Sequence, residues 1–565
     1  MSCFLIQGVL AMTINQEHPW YRWYVLAVLT VIYMFAYMDR QIISILGPWL
    51  KKDLSISDAQ LGLLYGTAFA LFYCVFGIPL ARLADGGNRV RTAATGLILW
   101  SLMTTLSGLS MNFTQLGLAR LGVGVGEASA TSASVSLLGD YFERAKRGTV
   151  LALYSVGVYA GAGAALAVGG SIVALWQRTY GMDGSLAPFG LVGWQAAFIG
   201  VGLPGVVFAL IVLLTIREPA RGRLENVAVD PEGKSFVKAL RDLGAMVPPW
   251  SWLRLQALNA SRVEYGRNIV RLVLSILIAW IATSATNHVL STARNPVIGT
   301  LFGLTITANL VQWTAMAIAA YFISNWYQAT RLGDPVAHRL IGSSRAFMAV
   351  TVAGAFLAFA MNAVNSFVFV YGSRYLGLTS QAGLRLGIIA IVMGGSGIIV
   401  SGWLCDFAKQ KHPLGRLYFV CCTATVFTAA SVVQYHTRQV TVFYCAYAVA
   451  TFFVPMWFGP LQATTQDLVV PRLRGTAYAA FSLGANIFGL GLGPYTTGLI
   501  SDAAGDLRLG IMCALAVLPF ALCSLLFGSR ALLRGEAAAA DELSRIQDTP
   551  EEAKNGCVGA RQFTH

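Results

Sequence analysis

The sequence predicts an all-α integral membrane protein, built as two six-helix halves with two further helices inserted between them. Three observations carry this expectation. Only 12% of the 565 residues are charged and 56% are hydrophobic, whereas soluble domains carry about 25% charged residues. Apolar runs of the roughly 20 residues that a helix needs to cross a bilayer recur along nearly the whole chain. Two patterns of the first part also return, at equal internal spacing, in the last part. The mean hydropathy of +0.62 agrees that the solvent around this fold is lipid.

The apolar runs fall near 22–46, 60–80, 92–110, 114–139, 148–176 and 191–216, then near 268–290 and 297–323. Six more follow near 346–371, 384–405, 415–434, 440–463, 475–501 and 508–529. The order is six, two and six, or about fourteen membrane helices at one span per ~20 residues. It divides the chain into a first half (1–222), an insert of linker and two extra helices (223–344), a second half (345–529) and a tail (530–565). The polar stretch 218–267 reads as a linker with a short amphipathic piece from Phe236 to Arg241. The tail, with its Ala/Glu-rich start, predicts a short surface helix followed by disorder.

The net charge of +14 does not point to nucleic acid. The cations cluster in short loops on alternate sides of the runs, the pattern that orients membrane helices. Arg89 and Arg91, then Arg144, Lys146 and Arg147, then Arg217, Arg221 and Arg223 mark one side in the first half. Lys409, Lys411 and Arg416, then Arg472 and Arg474, mark it in the second. Both termini are then expected in the cytoplasm of a cell membrane, a bacterial inner membrane by the Ala/Gly-rich helices. The first apolar stretch lacks a basic leading region and runs into Asn15, Gln16, Glu17 and His18, so no cleavable signal is expected. The nine Cys are scattered without a CxxC pair, so no metal site is expected. No cofactor loop and no ATP-binding loop is found either.

The repeat sets the architecture. Arg147-Gly148-Thr149 continues with Ala152, Ser155 and Gly157, and Arg474-Gly475-Thr476 continues with Ala479, Ser482 and Gly484 at the same offsets. Gly66 and Asp85 pair in the same way with Gly387 and Asp406. Parallel repeats of this kind build carriers whose site lies between the halves, near the bilayer midplane.

At these residues the chain resembles the major facilitator superfamily. The loop Ala81-Arg82-Leu83-Ala84-Asp85-Gly86-Gly87-Asn88-Arg89-Val90-Arg91 is similar to that superfamily's G-x-x-x-D-R-x-G-R-x-R signature. Asp85, Arg89 and Arg91 match, and Ala81 and Gly86 depart from it. Within the superfamily it looks most like the Spinster-like family of lysolipid and sphingosine-phosphate transporters. The resemblance is carried by Tyr37-Met38-Asp39-Arg40, by Arg120 to Ser129, by Arg217 to Gly222, and by Gln466 to Arg474 with Asn486 to Pro494 and Ser501-Asp502. It covers both halves but not 223–344. It implies a secondary transporter for an amphipathic anionic solute or lysolipid. A small organic anion, such as an aromatic or sugar acid, is the alternative, and a non-transporting membrane sensor is the alternative of another class.

Ionisable residues inside membrane helices are costly and mark functional sites by default. Asp39 and Arg40 lie in the first run, Arg120 and Glu127 in the fourth. Seven residues make nearly two turns, so Arg120 and Glu127 share a face about 10 Å apart. Desolvation disfavours a charged carboxylate and a nearby Arg favours it. Asp39 and Glu127 are therefore the candidate proton sites and Arg120 the candidate switch, the alternative being a static ion-pair cluster. Arg40 is left open between the cavity, a pair with Asp39, and the membrane surface. Candidate cavity residues are Tyr33, Tyr37, Ser129, Ser132, Tyr154 and Tyr159 in the first half, and Asn362, Asn365, Tyr371, Trp457 and Asn486 in the second. Asp85, Arg89 and Arg91, with Asp406 in the repeat, are candidate conformational locks. Expected partners are a small-molecule or lipid substrate, protons and membrane lipids, with no nucleic acid and a monomeric chain.

Overall fold

The structure, a computed structural model, describes residues 19–143, 146–182, 185–219, 248–290, 297–301, 304–470 and 473–559. The first half runs through α1 (Pro19–Asp53), α2 (Asp58–Tyr65), α3 (Thr67–Gly86), α4 (Arg89–Ser107), α5 (Phe113–Tyr141), α6 (Arg147–Tyr180) and α7 (Gly193–Thr215). The insert holds α8 (Trp250–Ala257), α9 (Arg262–Val289), a hairpin of β1 (Val297–Leu301) and β2 (Leu304–Thr307), and α10 (Ala308–Gly333). The second half holds α11 (Arg345–Ser366), α12 (Val368–Leu376), α13 (Ala382–Ile389), α14 (Gly395–Lys411), α15 (Gly415–His436), α16 (Val440–Phe453), α17 (Phe458–Asp467), α18 (Arg474–Gly484), α19 (Gly491–Ala504), α20 (Leu507–Leu515) and α21 (Leu518–Gly559).

Each predicted apolar run except 297–323 coincides with helix, and several are jointed. A π turn, Ala390–Gly394, joins α13 to α14, and another, Ala485–Leu490, joins α18 to α19. Among the described residues, ten helical stretches are by themselves long and apolar enough to cross a membrane. The runs of α4, α5, α10 and α18–α19 fall short of that on their own. The α5 helix carries Arg120 and Glu127, and α10 carries Asn309, Gln312, Asn325 and Gln328.

Helix starts follow local capping chemistry. Asn88 accepts from the Arg91 amide to cap α4, Asn112 from the Gln115 amide to cap α5, and Ser57 forms a capping box with Gln60 on α2. Such side chains satisfy amides that have no partner within the helix. The repeat-related residues Arg147 and Arg474 open α6 and α18.

Two expectations are corrected. The run 297–323 is not helical throughout: its first part is the antiparallel hairpin pairing Thr300 with Thr305, where β-branched residues favour strand. The helix starts only at Ala308, capped by Thr307. The tail helix is longer than expected. The α21 helix runs unbroken from Leu518 to Gly559, through an Ala/Glu-rich segment of strong helix formers. The amphipathic piece at 236–241 and the residues read for a leader lie outside the described residues.

The halves meet along two seams, α2 against α19 and α6 against α13. The repeat-related glycines sit one on each. A Cβ on Gly66 would stand 2.1 Å from the Leu490 carbonyl oxygen, and one on Gly387 would stand 2.3 Å from that of Gly163. Small residues let backbones approach this closely in lipid, so the second echo in the sequence encodes a contact between halves.

The inserted helices are held to each other by buried amides. Asn268 of α9 donates to Asn325 and Gln328 of α10, each at 2.8 Å, and accepts from Tyr321 (2.8 Å) and Trp252 (2.9 Å). Interhelical hydrogen bonds of this kind join helices where lipid supplies no hydrophobic drive.

Candidate functional site

The charged residues of α1 and α5 converge inside the first half. Arg40 donates from Nε to Glu127 Oε2 at 2.6 Å. The Arg40 guanidinium carbon lies 4.7 Å from the ring centre of Tyr37, 4.2 Å from Phe69 and 4.7 Å from Tyr73. Cations are attracted to aromatic faces, more strongly where water is excluded. Arg40 keeps 13% of its side chain exposed. Its two terminal amino groups have no hydrogen-bond or ion-pair partner among the described residues.

Arg120 is fully buried and donates from Nη2 to the main-chain oxygen of Asp39 at 2.8 Å. The Asp39 carboxylate is buried, and among the described residues neither of its oxygens has a hydrogen-bond partner. Nor has Glu127 Oε1.

The four residues read from the sequence are thus neighbours, but the pairing differs. Glu127 holds Arg40 of α1, not Arg120 of its own helix, and this settles the position of Arg40. Arg120 is enclosed between helices instead of facing a cavity.

Three of the aromatic candidates, Tyr33, Tyr37 and Tyr154, form one cluster. Tyr33 stacks on Tyr154 at 4.5 Å and meets Tyr37 edge-on at 5.2 Å. Asn362 and Asn486 are half-buried and donate to carbonyls of their own helices, Ala358 and Ser482. Trp457 is nearly buried, edge-to-face with Phe458. Two other candidates have packing positions. Ser129 is buried against Gly96 in the α4–α5 contact and donates to the Gly126 carbonyl. Tyr371 is fully buried, with its hydroxyl on the Tyr435 carbonyl. Asn365 has a different use: its main-chain oxygen accepts from Gln41 and Ser44 and so joins the halves.

The lock candidates lie at the end of the helices that carries the chain termini. Arg89 is buried and donates to Glu218 (2.7 Å), to Asp140, and to the oxygens of Ser136 and Pro219. All of these belong to the first half. Asp406 is exposed and 3.9 Å from Arg416, which also holds Asp467, all in the second half. Arg91 is exposed, with its amide on Asn88. The Asp85 side chain lies outside the described residues.

Sequence reasoning missed a cluster at the opposite end. Asp58, at the start of α2, is buried and paired with Lys51 of α1 and with Arg374 of α12. Ser501 donates to it at 2.7 Å, and Asp502 accepts from the Asp58 and Ala59 amides at 3.0 and 2.7 Å. Among the described residues, the ion pair that joins the two halves directly is Asp58–Arg374. Nearby, the Tyr375 hydroxyl bonds Asp506 at 2.6 Å and holds that carboxyl below its usual range. The capping box at Ser57–Gln60 was the available signal for Asp58, and Ser501-Asp502 stood within the motif quoted above.

Two repeat-related helical halves, a polar seam between them and buried charge inside are the architecture of a membrane transporter. The chain belongs to the Major Facilitator Superfamily, whose model matches residues 29–335 and 330–494. It is 24% identical over 497 residues to an MFS-type efflux pump of Mycolicibacterium smegmatis, covering 87% of each chain. It is 30% identical over 263 residues to protein spinster homolog 1 of Homo sapiens, 45% of this chain and 44% of that one. With a probable L-galactonate transporter of Escherichia coli it shares 27% over 232 residues, 41% of this chain and 46% of that one. The solved structure of a bacterial homolog of the human lysosomal transporter Spinster, inward-facing and unoccupied, superposes with a TM-score of 0.65 at 24% identity, over 92% of this chain and 99% of that one. That likeness establishes the fold.

Proposed function

We propose that this superfamily transporter is a proton-coupled secondary carrier for an amphipathic anion of the lysolipid kind. The observation that carries the reading is the Arg40–Glu127 pair, with the amino groups of Arg40 left without a partner among the described residues, beside an aromatic cluster. An anionic headgroup takes those amino groups and draws Arg40 away from Glu127, which then takes up a proton. Asp39, a buried carboxyl of the same cluster, is the second proton site, and Arg120 fixes the backbone that carries it. The rings of Tyr33, Tyr37 and Tyr154 offer apolar contact to the remainder of the substrate.

With the basic loops in the cytoplasm, the Asp58 cluster lies on the outer side and the conformation is closed there. Uptake of a labelled lysophospholipid into proteoliposomes, with and without an imposed pH gradient, tests the reading. Gradient-driven uptake that is lost in Glu127→Gln is expected; uptake that Glu127→Gln and Asp39→Asn both keep unchanged removes the coupling role. The second reading is a sugar acid, favoured by relatives described as L-galactonate and galactarate/D-glucarate transporters. A labelled sugar acid in the same vesicles decides between them.

A further inference from the structure

The α10 helix belongs to neither half, yet it touches both. It lies over the seam between α3 and α18–α19. Asn309 accepts from the Tyr495 hydroxyl at 2.7 Å. Gln312, fully buried, donates to the Gly491 carbonyl at 3.2 Å and accepts from Thr67. Further along, Ala319 forms a buried cluster with Ile487, on which Leu71, Tyr73 and Ile323 pack. The same Tyr73 stacks on Phe69 at 5.3 Å and faces Arg40 at 4.7 Å. One ring therefore connects the inserted helix to the Arg40–Glu127 pair.

We propose that the inserted helix pair is a positioning element of the coupling site: through Ala319, α10 seats Tyr73 against Arg40 and so sets how firmly Arg40 holds Glu127. This rests on the reading of Glu127 as a proton site. Three rings surround the guanidinium, Tyr37 from α1 and Phe69 and Tyr73 from α3. Of the three, Tyr73 also packs on the cluster of Ala319 from the insert and Ile487 from the second half. A displaced Tyr73 leaves Arg40 free to swing, and Glu127 loses part of its counter-charge. The groups around Glu127 are Arg40 and Asp39 from α1, Arg120 from its own helix, and the phenols of Tyr37 and Tyr73. None of them replaces Arg40 as a hydrogen-bond donor to it.

The test needs no substrate. The full-length purified protein is titrated with pH, and carboxyl protonation is followed by infrared difference spectroscopy in wild type, Glu127→Gln, Tyr73→Phe, Tyr73→Leu, Ala319→Leu and Ile323→Ala. The signal lost in Glu127→Gln defines the site; if that variant removes no signal, the proton-site reading itself fails. With the signal assigned, Tyr73→Phe keeps the wild-type midpoint because the ring is retained. Tyr73→Leu raises the midpoint by about one pH unit. Ala319→Leu and Ile323→Ala, which replace no charged residue, raise it in the same direction. A midpoint that moves in Tyr73→Leu but in neither α10 variant overturns the proposal, as does one that moves in none of them.

Discussion

Arg374 donates two hydrogen bonds to Asp58, from Nη1 to Oδ2 at 3.0 Å and from Nη2 to Oδ1 at 2.9 Å, across the seam between the halves. A fork of this geometry is among the strong charge-assisted contacts. It joins α12 to the first turn of α2, where Asp502 already holds the amides of Asp58 and Ala59. Two carboxylates and two cations thus meet at one end of the molecule. The cations of the other end, Arg89 and Arg416, pair within their own halves.

Arg374→Gln is therefore expected to loosen that end specifically. Lys51 still pairs with Asp58 in the variant, so the cost is about 1–2 kcal/mol, less than for a fully broken buried pair. That corresponds to a roughly five- to thirty-fold rise in the open population. Hydrogen exchange followed by mass spectrometry should show faster exchange at 58–65 and 368–376, with 89–107 unaffected. Uniform acceleration, or none, would mean that the pair does not close this end.

The seams make a second prediction. Gly66→Ala and Gly387→Ala each place a methyl group against a carbonyl of the other half, and overpacking of this kind costs about 1–3 kcal/mol. At Gly402, in α14, nothing lies within 4 Å of the added Cβ, and Ala is the better helix former. Thermal unfolding of the purified protein should be lowered in the first two variants and unchanged or raised in the third. Equal effects at all three positions would remove the special role of the seams.

The spans were legible because lipid imposes one length on them, and the repeat was legible because Gly66 and Gly387 recur at a fixed distance from Asp85 and Asp406. The pairings were not. Helical periodicity places Arg120 and Glu127 on one face, but it cannot say which cation of α1 reaches Glu127 from across the helix contact. The Asp58 cluster was missed for a different reason. Its members stand at helix ends, outside the apolar windows that drew attention to intramembrane charge, and are far apart in sequence. The hairpin of β1 and β2 escaped because a short apolar β-branched run reads alike as strand or as helix start.

Arg89 is expected to stabilise its half without gating it. Its partners Asp140 and Glu218 are 14% and 23% exposed, so their loss of a counter-ion in Arg89→Gln costs about 2 kcal/mol, between the surface and buried cases. The midpoint of thermal unfolding should fall, with faster exchange at the start of α4 and at 215–219. Exchange at 58–65 should stay at the wild-type rate; a rise there would restore Arg89 to the role of a lock between halves.

Gln312→Leu separates the insert from the seam it covers. The substitution keeps the volume similar and removes both amide contacts. The Thr67 hydroxyl, released from Gln312, donates its one proton to the Gly491 carbonyl within its reach, so no buried acceptor is stranded and the cost is about 1 kcal/mol. The amides around Asn268, Asn325 and Gln328 hold α9 to α10 independently of Gln312. The variant should therefore exchange faster at 308–316, while 262–271 and 321–331 keep the wild-type rate. Loss of protection over the whole insert would instead show that the hairpin is ordered by the halves it bridges, and that its internal amide network does not suffice to hold it together.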